Sequence, residues 1–453
     1  MHTALPATAD PAPPTSLSLS EALRFWLKLG FISFGGPAGQ IALMHEELVD
    51  RRRWISEKRF LHALNYCMLL PGPEAQQLAT YLGWLLHRTW GGVLAGMLFV
   101  LPSLFIITAL AWLYMAHGDV PMVAGFFYGI KPAVTALVAQ AAYRVGSRSL
   151  TNRWHWCIAV AAFAAIFALN VPFPLIVMAA AMVGFIGGKL RPAAFGGGAG
   201  HAKGGQHQDM RPALIDDDTP APQHARFSWR RFWRVLVICV ALWAMAMGSL
   251  AALYGPHSTL VQMGWFFTKA ALMTFGGAYA VLPYVYQGAV EHFQWLTAVQ
   301  MMDGLALGET TPGPLIMVVS FVAFVGGWTK AIFGSDSLLL AGTVAAAVAT
   351  FFTFLPSFFF ILLGGPFIES THGNLKFTAP LAGITAAVVG VIVNLAVFFA
   401  WHVIWPRGLT GGMDWPSVVI GIAAAIALLR FKANVIHVIV AAGLAGLALR
   451  LLI

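Results

Sequence analysis

The chain has 453 residues, 59% of them hydrophobic and only 10% charged, too little polar surface to solvate a globular protein of this size, so an integral membrane protein is expected. Its net charge of +9 would suit nucleic acid, but the Lys and Arg residues gather at the ends of apolar stretches and in one linker, as the positive-inside rule requires, and no nucleic-acid partner is inferred. Cys67, Cys157 and Cys239 lie in or beside apolar segments with no CxxC or Cys/His spacing, so neither a disulfide framework nor a metal site follows, and no cofactor is expected.

Residues 1–19, rich in Ala, Pro, Ser and Thr, lack the basic start, apolar run and cleavage site of a secretory signal and read as a disordered cytoplasmic tail. An apolar segment at about 20–49 follows, broken at Gly35-Gly36-Pro37, then one at about 59–88, broken at Pro71-Gly72-Pro73. Four more stretches, at about 91–115, 122–143, 155–170 and 172–188, complete a unit spanning 20–190. Long Gly- and Phe-rich stretches without period-two alternation predict a helical bundle rather than an outer-membrane barrel. Residues 191–228 are dense in Gly, Pro, His and charge and predict a flexible cytoplasmic linker in which His201, His207 and His224 are solvated. A linking transmembrane helix within 229–256 leads to a second unit, 257–453. Its segments lie at about 260–290, broken at Gly276-Gly277, 298–328, broken at Pro312-Gly313-Pro314, and then 338–364, 377–401, 416–429 and 434–452.

The two units are copies. Phe34-Gly35-Gly36 returns as Phe275-Gly276-Gly277, Lys28 as Lys269, Trp54 as Trp295 and Pro71-Gly72-Pro73 as Pro312-Gly313-Pro314, each pair 241 positions apart. Leu101-Pro102-Ser103 and Gly129-Ile130 return as Leu355-Pro356-Ser357 and Gly383-Ile384 at a separation of 254, placing 13 additional residues near Gly334 to Leu340. After the first broken segment comes Arg51-Arg52-Arg53, whereas the equivalent place in the second unit reads Glu291-His292-Phe293-Gln294 without Lys or Arg. The same loop is therefore expected on opposite sides of the membrane, the mark of an inverted-topology repeat, with the linking helix supplying the odd crossing. If the broken segments are hairpins, the chain crosses nine times, with its N-terminus inside, its C-terminus outside, and Arg88, Arg144, Arg148 and Arg153 cytoplasmic; full crossings give thirteen and strand Arg51 to Arg53 outside. The hairpin arrangement is preferred.

Backbone N–H and C=O groups cannot stay unpaired in hydrocarbon, so four breaks at membrane depth must be buried in protein or line a polar cavity. Helix N-termini just after a break present N–H groups and a positive dipole end, which suits an anion, and Pro37 and Pro73 are placed as first-turn residues. An anion site is thus expected around Gly35, Gly36, Pro37, Ala38 and Gln40, around Pro71, Gly72, Pro73, Glu74 and Gln77, around Gly276 and Gly277, and around Thr310, Thr311, Pro312, Gly313 and Pro314. Lys28, Lys269 and Lys131 lie within apolar segments and would neutralise its charge, although the first two also fit snorkelling from helix ends and the third a structural pair with a carboxylate. Glu74, Gln77 and Tyr81 form a polar face after the first Pro-Gly-Pro, while Asp303, Glu309, Thr310 and Thr311 precede the second. Glu74 and Glu309 are the candidates for proton coupling, with satisfaction of Glu74 by local helix-end N–H groups as the plainer alternative. No catalytic cluster of His, Asp or Arg is found, so no enzyme is expected, and without a Walker motif ATP is not the energy source.

In Phe34-Gly35-Gly36-Pro37-Ala38-Gly39-Gln40, Leu70-Pro71-Gly72-Pro73-Glu74-Ala75-Gln76-Gln77, Phe275-Gly276-Gly277-Ala278-Tyr279 and Gly308-Glu309-Thr310-Thr311-Pro312-Gly313-Pro314-Leu315, in this order, the sequence resembles the chromate ion transporter family across both units. The resemblance implies two homologous, oppositely oriented domains in the bacterial inner membrane, exporting chromate and conferring chromate resistance, with sulfate as a related or competing ligand. The expected partners are that oxyanion and the lipid bilayer; a homodimer is left open. A passive anion channel or a carrier of another oxyanion is the main rival, an intramembrane enzyme the more distant one.

Overall fold

The computed structural model describes residues 17–34, 36–118, 120–195, 213–216, 222–371, 378–408, 410 and 412–452. Gly35, the tail to residue 16, and His201 and His207 of the linker lie outside the described residues. The described chain is helical throughout, with one isolated parallel β-bridge between Ile55 and Ile215.

The first unit runs α1 (Leu19–Ile32), α2 (Gly36–His45), a π-turn (Glu46–Arg51), α3 (Glu57–Leu69), α4 (Glu74–His117), α5 (Pro121–Ser149), α6 (Arg153–Leu169), α7 (Phe173–Leu190) and the single turn α8 (Pro192–Phe195). After the linking helix α9 (Trp229–Tyr254), the order returns as α10 (Thr259–Leu272), α11 (Ala278–Tyr286), a π-turn (Gln287–His292), α12 (Ala298–Thr310), α13 (Val318–Thr329), α14 (Leu338–Thr371), α15 (Thr378–Ile404), α16 (Trp415–Leu429) and α17 (Val435–Leu452). The repeat extends to details that the composition does not announce. Both π-turns occupy equivalent positions; Arg53 and Gln294, at φ 52° and 53°, make the same left-handed turn. Ser56 caps α3 by accepting from Arg59 N, and its mate Thr297 caps α12 by accepting from Gln300 N. Each hydroxyl satisfies an N–H that the first turn leaves without a helical partner.

Where the sequence suggests separate segments at 59–88 and 91–115, α4 is continuous but bent, with non-helical backbone at His87 and at Arg88 (φ 58°). The bend folds its first arm back on the second through small residues: a Cβ on Gly83 would meet the Gly91 carbonyl, and one on Gly92 the Thr80 carbonyl. The backbones touch because no side chain intervenes.

Packing interlocks the units. α5 lies against α16 and α17 of the second unit, α15 lies against α6 and α7 of the first, and α5 and α15 pack on each other. Close approach is again purchased with glycine, since Gly129 of α5 abuts Ala442 and Gly446 of α17. α4, α13 and α14 form the other shared layer, carrying α1 and α10. Among the described residues seven helices are long and apolar enough to cross a membrane, and three shorter apolar stretches accompany them: α6, α16 and Leu315–Thr329, which contains α13. On α9 only Met247 is buried, so this apolar helix presents nearly its whole surface outward, as a lipid-facing helix does.

The expectation that His224 is solvated fails. The described part of the linker is docked: Leu214 N donates to Arg53 O (2.9 Å), Ile215 N to Trp54 O (3.2 Å) and Ser56 N to Ile215 O (3.0 Å). His224 Nε2 lies 2.9 Å from Trp84 O at the end of α4's first arm, its ring edge-on to Trp84. Burial holds the imidazole below its usual pKa and the charges of Arg231 and Arg88 act in the same direction, outweighing hydrogen bonds to Trp84 and Leu85. Apolar Ile215 and Ala225, both buried, supply the anchoring that histidine spacing alone could not reveal.

Candidate functional site

The four breaks meet in two crossings related by the repeat. In one, Gly313 N donates to Ser33 O at 2.8 Å; in the other, Gly72 N donates to Thr274 O at 2.7 Å. Ser33 and Thr274 are themselves 241 positions apart, as are Gly72 and Gly313. Each hydroxyl folds back on its own helix end, Ser33 Oγ donating to Leu29 O (2.6 Å) and Thr274 Oγ1 to Ala270 O (2.7 Å). The second break of each unit is thus threaded to the first break of the other, which pairs the backbone that hydrocarbon cannot satisfy.

Glycine is required at both crossings. Gly72 has φ 125° and Gly313 φ 104°, and a Cβ would press on Ser357 Oγ and Gln77 Nε2 at the first and on Ser103 at the second. Ser103 and Ser357 are the repeat-related serines after Leu-Pro, and the structure sets one against each Pro-Gly-Pro. A glutamine locks each crossing, but from different positions: Gln40 Nε2 donates to Gly313 O (2.5 Å) and Ser33 O (3.3 Å), whereas Gln77 Nε2 donates to Pro71 O (2.7 Å). Their repeat mates are Val281 and Val318. Carbonyl partners fix these amides with nitrogen inward, which leaves Gln40 Oε1 and Gln77 Oε1 buried without partners, together with Gln76 Oε1, Ser103 Oγ and Thr353 Oγ1. Unsatisfied polar atoms at this density mark a place where water or a polar solute belongs.

Charge is arranged asymmetrically. Glu309, at the end of α12, accepts a hydrogen bond from the hydroxyl of Tyr279 in the first turn of α11, just beyond Gly276-Gly277. Arg144 of α5 acts electrostatically on both. Glu74 opens α4, and Arg148, one turn beyond Arg144, acts on it. Lys131, also on α5, pairs with Asp303 of α12 at 3.9 Å, and Tyr114 donates to the same carboxylate at 2.8 Å. Helix α5 therefore carries one cation in an ion pair, Lys131, and two exposed ones, Arg144 and Arg148, that act on Glu309 and Glu74 at longer range; the repeat mates on α15 are Thr385, Phe398 and His402.

The sequence-predicted residues divide. Gly36, Pro37, Ala38, Gln40, Pro71, Gly72, Pro73, Gln77, Gly276, Gly277, Pro312, Gly313 and Pro314 are brought to the crossings or the helix ends beside them. The N–H groups of Gly72 and Gly313 are engaged by carbonyls and do not face an open site. Thr310 and Thr311 turn their hydroxyls back to Ala306 and Gly308 of α12. α4 and α11 start immediately after Pro73 and Gly277, which offer no side-chain cap, so their first N–H groups remain directed past the helix ends. Lys131 stands 3.9 Å from the Asp303 carboxylate. Lys28 and Lys269 are exposed on α1 and α10 and join no ion pair among the described residues. Sequence reading missed the roles of Ser33, Thr274, Ser103, Ser357 and Tyr279, although the repeat already aligned both pairs of hydroxyls. It also missed Glu369, which accepts from Tyr81 at 2.5 Å and pairs with Arg59 at 3.3 Å; nothing in local spacing joins residues so far apart.

Comparison with known proteins agrees with this architecture. The profile of the family described as Chromate transporter matches residues 20–185 and again 261–447. The chain is 35% identical to a chromate transport protein of Pseudomonas aeruginosa, over 97% of this chain and 94% of that one. It is 29% identical to a chromate transport protein of Cupriavidus metallidurans, over 92% and 89% of the respective chains, and 28% identical to a probable chromate transport protein of Synechococcus elongatus, over 90% and 89%. No solved structure matches.

Proposed function

This chain belongs to the chromate transporter family, a family of multi-pass membrane transporters and not of enzymes, and from that premise we propose that it exports chromate across the bacterial inner membrane as a secondary active transporter. The observation that carries the reading is the pair of crossings, where discontinuous helices, uncapped helix starts and unpartnered polar atoms converge inside a membrane bundle. A tetrahedral dianion would be received by the first N–H groups of α2, α4 and α11 and by the Ser103 hydroxyl, with the cations of α5 balancing its charge. Glu74 and Glu309 lie within electrostatic range of Arg148 and Arg144 respectively. Protonation of either carboxylate would remove a negative charge that repels the anion, which couples proton and oxyanion. The two crossings, each closed by one backbone hydrogen bond, would open in turn if the units are oppositely oriented.

The test is uptake of labelled chromate and of sulfate into inverted vesicles under separately imposed pH and voltage gradients. Saturable chromate uptake driven by the pH gradient is expected, with sulfate competing. Flux that follows voltage in proportion and ignores the pH gradient would establish the channel instead. Glu74→Gln and Glu309→Gln are each expected to reach the membrane yet lose pH-driven uptake, and unchanged uptake in both would remove the carboxylates from coupling.

A further inference from the structure

Resting on the reading of the chain as an oxyanion transporter, we propose that Asp303 is a resident competitor for Lys131: it holds the ammonium while the site is empty and yields it to the arriving dianion, so that this pair sets the affinity for substrate. The two side chains belong to different units, Lys131 on α5 and Asp303 on α12, and their contact of 3.9 Å is an ion pair without hydrogen-bonding closeness. A structural pair between ammonium and carboxylate normally closes to about 2.7–2.9 Å. Here the carboxylate is held by Tyr114 on Oδ2 while Oδ1 has no partner, so the geometry keeps the two charges near each other without joining them.

Access is one-sided. Asp303 is 2% exposed and Lys131 26%, so a solute reaching this place meets the ammonium before the carboxylate behind it. A buried carboxylate needs a cation or strong donors; when Lys131 turns to the substrate, Tyr114 remains to hold Asp303. The triad is confined to one place in the fold. Repeat-related positions of Lys131, Asp303 and Tyr114 carry Thr385, His62 and Ile368, and the helices equivalent to α5 and α12, α15 and α3, do not pack closely on each other. The charge set therefore stands only where α5 of one unit meets α12 of the other, beside no symmetric counterpart that could share its work.

The experiment measures chromate uptake by the full-length protein in proteoliposomes. Asp303→Asn removes the competitor and is expected to lower the half-saturating chromate concentration by about tenfold, with a slower maximal rate because the anion is held longer. Lys131→Gln is expected to raise it by a similar factor, and adding Asp303→Asn to Lys131→Gln should then change little, since no ammonium is left to compete for. Tyr114→Phe is expected to act opposite to Asp303→Asn: deprived of its second donor, Asp303 holds Lys131 more firmly and half-saturation rises. If Asp303→Asn raises half-saturation or leaves it unchanged, or if the two charge substitutions add independently, the pair is structural and the proposal fails. Should Asp303→Asn not reach the membrane, Tyr114→Phe decides alone, an unchanged or lowered half-saturation overturning the proposal. Saturable uptake by the unaltered protein tests the transport reading separately, so failure of one is not confused with failure of the other.

Discussion

At Gly72 and Gly313 two effects act together, and they can be separated. A methyl group at Gly72 would stand 2.5 Å from Ser357 Oγ and 2.6 Å from Gln77 Nε2 while the backbone sits at φ +125°. Removing the serine relieves one overlap but not the backbone strain, which costs about 1–3 kcal/mol in such sparsely populated conformations. Gly72→Ala and Gly313→Ala are therefore expected to abolish chromate transport, and Gly72→Ala combined with Ser357→Gly to recover little of it, each scored against the amount of protein in the membrane. Full recovery in the double variant would mean that crowding alone matters. The position of these residues was legible in the sequence, because Pro and Gly punctuate a membrane helix visibly and a copy 241 positions later repeats the punctuation. What they bond to was not. The partner of Gly72 is Thr274 and that of Gly313 is Ser33, and a repeat reports what two halves have in common, not how they grip each other. Lys131 and Asp303 were both visible as ionisable residues in apolar sequence, and only packing of α5 on α12 could join them.

Among the elements, the helical segments were largely foreseeable from apolar stretches and Gly/Pro breaks, while the docking of the linker was not. Composition pointed to a solvated tether, yet two short apolar anchors seat its returning part against the first unit's hairpin tip and the bend of α4. Arg59 ties the same place together, donating to Asp216 O at 3.0 Å and pairing with Glu369 of α14. His224 makes the docking sensitive to pH. Its docked pKa is lowered, so the docked state prefers the neutral ring; docking is fully favoured above the ordinary histidine pKa of about 6.5 and weakens as pH falls through that value towards the lowered one. Protonation would place a third positive charge beside Arg88 and Arg231. Hydrogen exchange of the Leu214 and Ile215 amides is expected to speed up, after correction for intrinsic rates, between about pH 7.5 and about pH 5.5, a window that brackets the free histidine value. His224→Gln, which keeps a donor but does not titrate, should flatten this dependence. Equal protection at both pH values in the unaltered protein would remove His224 as the cause.

For the molecule as a whole, the interlocking of α5 with α16 and α17 and of α15 with α6 and α7 means that neither unit buries its own core helix unaided, so the repeat works only as a pair. The orientation of that pair decides whether it can alternate. In an inverted arrangement, exchanging the conformations of the two units turns an inward-open molecule into an outward-open one, and the crossings supply the matched contacts to exchange. In a parallel arrangement the same exchange leaves the site facing the same side. Arg51 and His292 occupy equivalent, exposed positions of the two π-turns, and only inversion puts them on opposite faces of the membrane. With Cys67, Cys157 and Cys239 replaced by serine or alanine, a cysteine at His292 is expected to react with a membrane-impermeant maleimide in intact cells, and one at Arg51 only in inverted vesicles. Labelling of both from the same face would sink the inverted arrangement, and with it the assignment of alternating access to the two crossings.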